Sequence, residues 1–155
     1  MDYVVRFAST VQDREAAFEL RRAVFEVEQN VPRPLDRDVH DSNADHVVAF
    51  DEAGRCIGTG RIVRVNYRTA QVGRMAVAAS FRRHGVCSAM LSALERMASL
   101  RGVAEIFVHS QLPAEDFHRN RGYLPEGGVF QDQGVPHVRM SKLLGRGALD
   151  QPIAV

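Results

Sequence analysis

Apolar residues recur along this chain with two alternating spacings. Short apolar runs rich in valine, isoleucine and aromatic residues, bounded by turn residues, predict strands at 3–8, 46–50, 56–65, 70–78 and 103–109. The turn at 51–54 joins the predicted strands 46–50 and 56–65 into a hairpin. Closing strands are predicted around 123–124, 129–130 and 135–140.

Between the strands the apolar spacing becomes helical. A first helix is predicted over 12–28, after the N-cap residues Ser9 and Thr10, and Pro32 and Pro34 stop it. A second begins near Val86, and a third runs from Pro113 to Gly122. The order β-α-β-β-β-α-β-α-β-β indicates a mixed α/β fold and excludes a helical bundle or an all-β sandwich.

The length of 155 residues allows one domain, and an apolar fraction of 45% excludes intrinsic disorder. We predict a single domain over 1–144, without repeats or linkers, and a flexible tail over 145–155. No apolar run is long enough to cross a membrane, and the start lacks the layout of a signal peptide. Cys56 and Cys87 form no disulfide framework, so a reduced, cytoplasmic protein is expected.

The net charge of +1 conceals an uneven distribution. Residues 1–52 carry a balance of −6, residues 53–94 contain seven arginines and no acid, and residues 95–155 are neutral. The basic segment indicates an anionic partner, or else arginines that merely solvate strand faces. Nucleic acid is not expected, because aromatic residues are few (7%) and no recognition motif is present.

The turn between the strand 70–78 and the helix beginning at 86 is the most informative segment. Backbone N–H groups at the start of a helix, a glycine at position 85 and the cations Arg82 and Arg83 are suited to a pyrophosphate. The alternative is an ordinary basic helix start. The segment is neither a Walker A loop nor a dinucleotide fingerprint, and Gly58-x-Gly60 lacks a third glycine.

These residues resemble a known family. Arg82-x-x-Gly85-x-Cys87, preceded by Gly73-Arg74-Met75-Ala76-Val77, resembles the acetyl-CoA motif of the GNAT superfamily of N-acetyltransferases, and 117–123 resembles its late aromatic segment. Further segments are similar to the bacterial ElaA/YjcF-like branch: Arg22 to Phe25, Glu28-Gln29-x-Val31-Pro32, the spaced acids Asp36, Asp38 and Asp41, Ala44-x-His46, and Gly134-Val135-Pro136-His137-x-x-Met140.

The resemblance implies a mostly antiparallel, seven-stranded sheet, splayed between its fourth and fifth strands and flanked by about four helices. It implies acetyl-CoA as co-substrate, with no metal. The backbone of Met75, Ala76 and Val77 would pair with the pantetheine arm. The pyrophosphate would lie within the turn formed by Arg82, Arg83, His84, Gly85, Val86, Cys87 and Ser88.

Two positions depart from the family pattern. Cys87 replaces a Gly or Ala, either as a tolerated small side chain or as a reactive thiol at a helix N-terminus. His118 stands where many members carry the tyrosine that protonates the departing thiolate. An imidazolium can donate that proton, so His118 is the candidate acid, and a bystander role is the alternative.

An acceptor ammonium must lose a proton before it attacks, which requires a base. Glu28 is the leading candidate, because a carboxylate is slightly disfavoured at a helix C-terminus; the alternative is a solvated carboxylate at the helix end. Asp132, His109 and His137 are alternatives by residue type, although a structural histidine is the commoner case.

The acids and histidines at 36–46 do not match a metal motif: an EF-hand would need glycine at Asp41 and glutamate at Val47. The acids could instead attract a cationic amine, or only cap and solvate a loop. We therefore predict an acetyl-CoA-dependent N-acetyltransferase acting on a primary amine of a small molecule or peptide. The alternatives are a CoA-binding regulatory module without turnover and an enzyme like the acyl-homoserine-lactone synthases. The sequence leaves the oligomeric state open, with a homodimer as one alternative.

Overall fold

The computed structural model, which describes residues 2–30 and 38–145, confirms the predicted order of elements. Seven strands form one sheet with the order β1-β2-β3-β4-β5-β7-β6. The pairs β1–β2, β2–β3, β5–β7 and β6–β7 are antiparallel. The strands are β1 (Tyr3–Phe7), β2 (Asp45–Asp51), β3 (Cys56–Arg64), β4 (Thr69–Val77), β5 (Glu105–Gln111), β6 (Leu124–Asp132) and β7 (Val135–Leu143).

Three α-helices lie in the described ranges, where the resemblance implied about four helices. They are α1 (Val11–Arg21), α2 (Val86–Leu100) and α3 (Glu115–Arg119). Short 3-10 turns cover Val39–Ser42, Ala79–Phe81 and Leu112–Ala114. None of the helices in the described part of the chain is long and apolar enough to span a membrane.

The first helix changes its winding partway along. Thr10 caps α1, as predicted, by accepting a hydrogen bond from the Asp13 N–H at 3.0 Å. After Arg21 the chain continues as a π-helix over Arg22–Glu28, and the Gln29 N–H donates to Val24 O at 3.0 Å. The sequence pattern predicted one regular helix over 12–28, because apolar spacing does not distinguish the two windings.

The chain divides into two compact units, the first comprising Met1–Val63 and Val72–Leu94. Its core includes buried apolar side chains of β2, β3, β4, the 3-10 turn after β4 and the first part of α2: Val47, Val48, Ala49, Ile57, Ala76, Phe81, Val86, Met90, Leu91 and Leu94. Gly58 permits close packing, because a β-carbon there would lie 2.8 Å from Val86 Cγ1. One at Gly60 would lie 2.2 Å from Met75 Sδ. Both glycines of Gly58-x-Gly60 therefore serve packing, and Gly58 lets the start of α2 approach the sheet.

The second unit comprises Arg64–Gln71 and Glu95–Val155. Its core includes Val103, Ile106, Phe107, Val108, Tyr123, Val138 and Met140. The buried Tyr123 hydroxyl donates to Glu95 Oε2 at 2.7 Å, and Lys142 Nζ lies 3.3 Å from both Glu95 oxygens. Burial and this carboxylate raise the pKa of Tyr123, so its phenol stays protonated. The predicted tail beyond Gly145 lies outside the described residues.

Candidate functional site

The turn at 82–85 connects β4 to α2 through two left-handed residues. Arg83 has φ +66° and Gly85 has φ +80°, a conformation that suits glycine and strains other residues. The Ala89 N–H donates an α-helical hydrogen bond to Gly85 O at 2.9 Å. The N–H groups just before Ala89 therefore belong to the first turn of α2, where amides have no acceptor within the helix. A helix start with left-handed residues just before it is a typical anion-binding geometry.

Tyr3 of β1 holds this turn, a contact that the sequence pattern did not reveal. Its hydroxyl donates to His84 O at 3.1 Å, and a β-carbon at Gly85 would lie 3.5 Å from the same hydroxyl oxygen. The two residues are 81 positions apart, which is why no local pattern could link them. Tyr3 therefore fixes the orientation of the peptide just before Gly85.

We expect Tyr3→Phe to weaken the binding of CoA severalfold. The substitution removes one hydrogen bond, worth about 1 kcal/mol, and leaves the ring in place. Isothermal titration of the variant with CoA measures the change. Tyr67→Phe, an exposed tyrosine of the second unit, is the matched control and should bind CoA as the wild type does.

Arg82 and Glu28, two of the predicted site residues, are in direct contact. Arg82 Nη2 donates to Glu28 Oε2 at 2.6 Å, and Arg82 Nε donates to Val77 O at 3.0 Å. Both side chains are somewhat more than 40% exposed. The structure thus joins the candidate base to the end of β4 through a guanidinium. The neighbouring Arg83 is exposed and makes no ion pair with any described residue.

The other predicted cofactor-binding residues lie on β4 and in the first turn of α2. Ala76 is buried, and Met75 and Val77 are half-buried. Arg74, just before Met75, has φ +50°, which interrupts the extended backbone of β4 there. Val86 packs into the core, while Cys87, next to Ser88 in the chain, is half-buried and forms no disulfide.

The acids at 38–41 form a partly buried network with arginines, which we call the Asp–Arg cluster: Asp38, Asp41, Arg21, Arg61 and Arg74. Arg21, 1% exposed, donates to both oxygens of Asp41 at 2.7 and 3.2 Å. Arg61 binds both oxygens of Asp38 at 2.7 and 2.8 Å and also reaches Asp41 Oδ1 at 2.8 Å. Arg74 donates to Asp38 Oδ2 at 3.1 Å.

This cluster corrects two interpretations of the sequence. Arg61 and Arg74 neither merely solvate a strand face nor serve to attract an anionic partner, because they form ion pairs with specific carboxylates of this chain. Asp38 and Asp41 are correspondingly engaged by arginines of this chain and do not present free charge to a cationic amine. Asp36, the third acid of the series, lies outside the described residues.

The same contacts set the protonation of the two carboxyls. Hydrogen bonds from Arg61 hold the pKa of Asp38 below its usual value. Burial alone would raise the pKa of Asp41, but the hydrogen bonds and charges of Arg21 and Arg61 outweigh it and hold that pKa well below its usual value. Both carboxyls are therefore ionised at neutral pH.

His118 lies in the second unit, where its Nδ1 is 3.0 Å from Ser110 Oγ and 3.1 Å from Ala114 O. The Ala114 carbonyl can only accept, and the Ser110 hydroxyl donates to Gln111 O, so Nδ1 carries the proton. Burial lowers the pKa of His118 and favours the neutral ring. Nε2 is thus the ring nitrogen that can gain and lose a proton.

Three other histidines have structural partners. His137 is buried and donates from Nδ1 to Val135 O at 2.7 Å, and its ring stacks on Phe130. His109 makes an edge-to-face contact with Phe130, and burial lowers the pKa of His109. His46 donates from Nε2 to Asp41 O at 3.0 Å. Among the described residues no group of three or more potential ligands could hold a metal ion.

The residues of the 82–88 turn fit the phosphates of an acyl-CoA. Gly85 lacks the β-carbon that would face Tyr3, and the exposed Arg83 supplies a cation beside the α2 N-terminus. Oxyanions are bound by such a combination of backbone amides, helix dipole and guanidinium. The seven-stranded α+β sheet with this turn after its fourth strand agrees with the resemblance to the acetyl-CoA-dependent transferases.

The comparison with known proteins establishes the family. Residues 7–144 match the Acetyltransferase (GNAT) domain, so the chain belongs to the GNAT acetyltransferases, as its motifs predicted. It is similar to the N-acetyltransferase YjcF of Bacillus subtilis, which is otherwise uncharacterised. The two are 31% identical over 136 residues, 87% of this chain and 96% of YjcF.

Two solved structures have the same fold. One is a Lactobacillus plantarum protein assigned as an N-acetyltransferase, with a TM-score of 0.87, 28% identity and coverage of 94% of this chain and 100% of that one. The other is Escherichia coli ElaA, with a TM-score of 0.78, 24% identity and coverage of 91% and 98%. The prediction of an ElaA/YjcF-like acetyltransferase is therefore confirmed at the level of family and fold.

Proposed function

We propose that this protein transfers the acetyl group of acetyl-CoA to a primary amine of a small molecule or peptide. The observation that carries the proposal is the turn at 82–85, where two left-handed residues and a helix N-terminus meet beside the exposed Arg83. Family membership supplies the reaction class. The identity of the acyl group and of the acceptor belongs to the proposal.

The turn holds the phosphates in this proposal. Amides at the start of α2 and the Arg83 guanidinium neutralise the anion, and Gly85 leaves room for its approach. The backbone of Met75, Ala76 and Val77 pairs with the pantetheine arm, and an amide of this stretch stabilises the oxyanion of the tetrahedral intermediate.

Glu28 serves as the base. It takes a proton from the acceptor ammonium, whose ordinary pKa is about 10.4, so that the amine lone pair can attack the thioester carbon. The C–N bond forms and gives the tetrahedral intermediate, whose nitrogen releases its second proton to solvent. The C–S bond then breaks, with the electron pair leaving on sulfur. Glu28 is the last residue of the π-helix, and Arg82 links it to Val77, the last residue of β4.

His118 serves as the acid that protonates the departing thiolate. Because Nδ1 already donates to Ala114 O, the proton is delivered from Nε2 of the imidazolium. Since burial lowers the pKa of His118, the imidazolium is populated only toward acidic pH, and turnover through it should decline as pH rises.

We expect His118→Phe to lower kcat while leaving the affinity for CoA unchanged. Phenylalanine keeps a planar ring beside Phe117 and Tyr123 but carries no proton. Steady-state rates across pH 5.5–9, together with CoA titration, test this role. A variant with an unchanged rate and pH profile would remove His118 from the mechanism.

The function itself is tested by thiol release. Acetyl-CoA is incubated with the protein and a panel of polyamines, aminoglycosides, amino acids and peptides, and free CoA is measured together with the mass of the product. Release that depends on one amine supports the enzyme. Tight binding of acetyl-CoA without release on any amine would indicate a binding module instead, and absence of CoA binding would contradict the cofactor assignment.

A further inference from the structure

We infer that the Arg82 side chain is a positioning residue for Glu28, and that Arg83 is the cation of this pair that meets the phosphates. The inference rests on the proposed function, because it takes Glu28 as the base. It differs from the expectation drawn from the sequence, in which Arg82 and Arg83 were two equivalent phosphate-binding cations.

The two guanidinium groups face different partners although they are adjacent in sequence. Arg82 donates from Nε to the carbonyl of Val77 and from Nη2 to Glu28. The donor–acceptor distances are 3.0 Å to Val77 and 2.6 Å to Glu28. The donor is a charged guanidinium in both bonds, and the bond to Glu28 is also an ion pair. Arg83 is exposed, with no ion-pair partner in the described part of the chain.

The geometry of the turn produces this difference. Arg82 has extended backbone angles, φ −66° and ψ 147°, whereas Arg83 is left-handed at φ +66°. Arg82, which follows the 3-10 turn Ala79–Phe81, directs its side chain back to Val77 at the end of β4. A guanidinium is planar and its donors form a fixed fork, so two simultaneous contacts define its position and that of the carboxylate it holds.

Glu28 needs such a support because it ends a π-helix. A π-helical turn is a rare and weak winding, and Gln29 immediately follows it. The ion pair with Arg82 joins this last residue to Val77, one of the β4 residues proposed to line the pantetheine arm. Arg82 therefore sets the distance between the base and the strand that holds the thioester.

The experiment compares Arg82→Met with Arg83→Met, which remove the same charge from neighbouring positions. For Arg82→Met we expect kcat to fall about 10- to 100-fold, the scale expected for a displaced catalytic group, with CoA affinity changed less than twofold. For Arg83→Met we expect CoA affinity to fall about fivefold, with kcat at saturating acetyl-CoA retained. Both side chains are substantially exposed, so neither variant should lose its fold.

A double-mutant cycle separates positioning from a structural role. In a Glu28→Gln background, Arg82→Met should cause no additional loss of kcat, because there is no longer a base to position. Glu19→Gln, which breaks the exposed Arg22–Glu19 pair on the same helix, is the control and should change neither quantity.

Two results would overturn the inference in different ways. If Arg82→Met weakens CoA binding as much as Arg83→Met and keeps its kcat, Arg82 is a phosphate ligand. The positioning role then fails, while the proposed function stands. If Glu28→Gln itself keeps full activity, the base assignment in the proposed function fails first, and the positioning role fails with it.

Discussion

Replacing Gly85 with valine should lower the affinity for CoA about 10- to 100-fold, the largest effect on binding expected of any single change in the turn. At φ +80° a β-branched residue costs at least about 1–2 kcal/mol, and the backbone relieves that strain by turning its amides away from the ligand. The added side chain also projects toward Tyr3 Oη, which would lie 3.5 Å from its β-carbon. Titration calorimetry with CoA measures the loss.

Gly54→Val is the matched control for this experiment. Gly54 has φ +81° in the turn between β2 and β3, and a β-carbon there meets no heavy atom within 4 Å. It therefore carries the same backbone strain within the same unit, but at a position where an added side chain meets no neighbouring atom. If both variants lost CoA affinity equally, general strain would explain the result; if Gly85→Val bound CoA normally, the phosphate assignment would be wrong.

Replacing Asp41 with asparagine should destabilise the protein more than any other single charge removal described above. The change removes the carboxylate that accepts two hydrogen bonds from Arg21, which is almost fully buried, and one of two acids that hold Arg61. Removal of one partner of a buried ion pair costs about 3–5 kcal/mol. We expect a Tm lower by roughly 10 °C, measured by thermal unfolding at neutral pH.

The double variant Arg21→Met with Asp41→Asn tests the cause of this destabilisation. It should be less destabilised than the sum of the two single variants, because neither charge is then left unmatched. Glu19→Gln, from an exposed ion pair, should leave the Tm unchanged. Additive effects of the two cluster substitutions would show that Arg21 and Asp41 do not act as a pair.

The cluster also determines how stability depends on pH. Asp38 and Asp41 have pKa values lower in the folded protein than in the unfolded chain. Their contribution is therefore complete above the usual carboxyl pKa of about 4 and declines as pH falls below it. Unfolding by denaturant between pH 5 and pH 2 should show this decline, and Asp41→Asn should reduce its slope.

The sequence predicted the order of elements because strand and helix periodicity are local properties. It predicted two short strands, around 123–124 and 129–130, where the structure has the single strand β6. Gly127 and Gly128 interrupt the apolar pattern there, and the pairing with β7 changes register between Glu126 and Phe130. It also located the turn at 82–88, since a glycine and two arginines between a strand and a helix are adjacent residues.

Contacts between distant residues could not be predicted in this way. Composition showed seven arginines in an acid-free segment, but not that Arg61 binds Asp38 across 23 positions and Arg74 binds it across 36. Glu28 and Arg82 were assigned separate roles because 54 positions separate them. Their contact depends on how the π-helix and the turn after β4 are placed in the fold. A single sequence contains no direct signal for such pairings.

The π-helical winding before Glu28 has a consequence for comparing relatives by alignment alone. Each residue of an α-helix turns the chain by about 100°, and a π turn accommodates one more residue in the same length. A relative with the same glutamate on a regular α-helix would direct it toward a different face. Two relatives could then share a glutamate at this position and still place it differently toward the acceptor. Relatives should therefore be grouped by the winding of this helix before their acceptor specificities are compared.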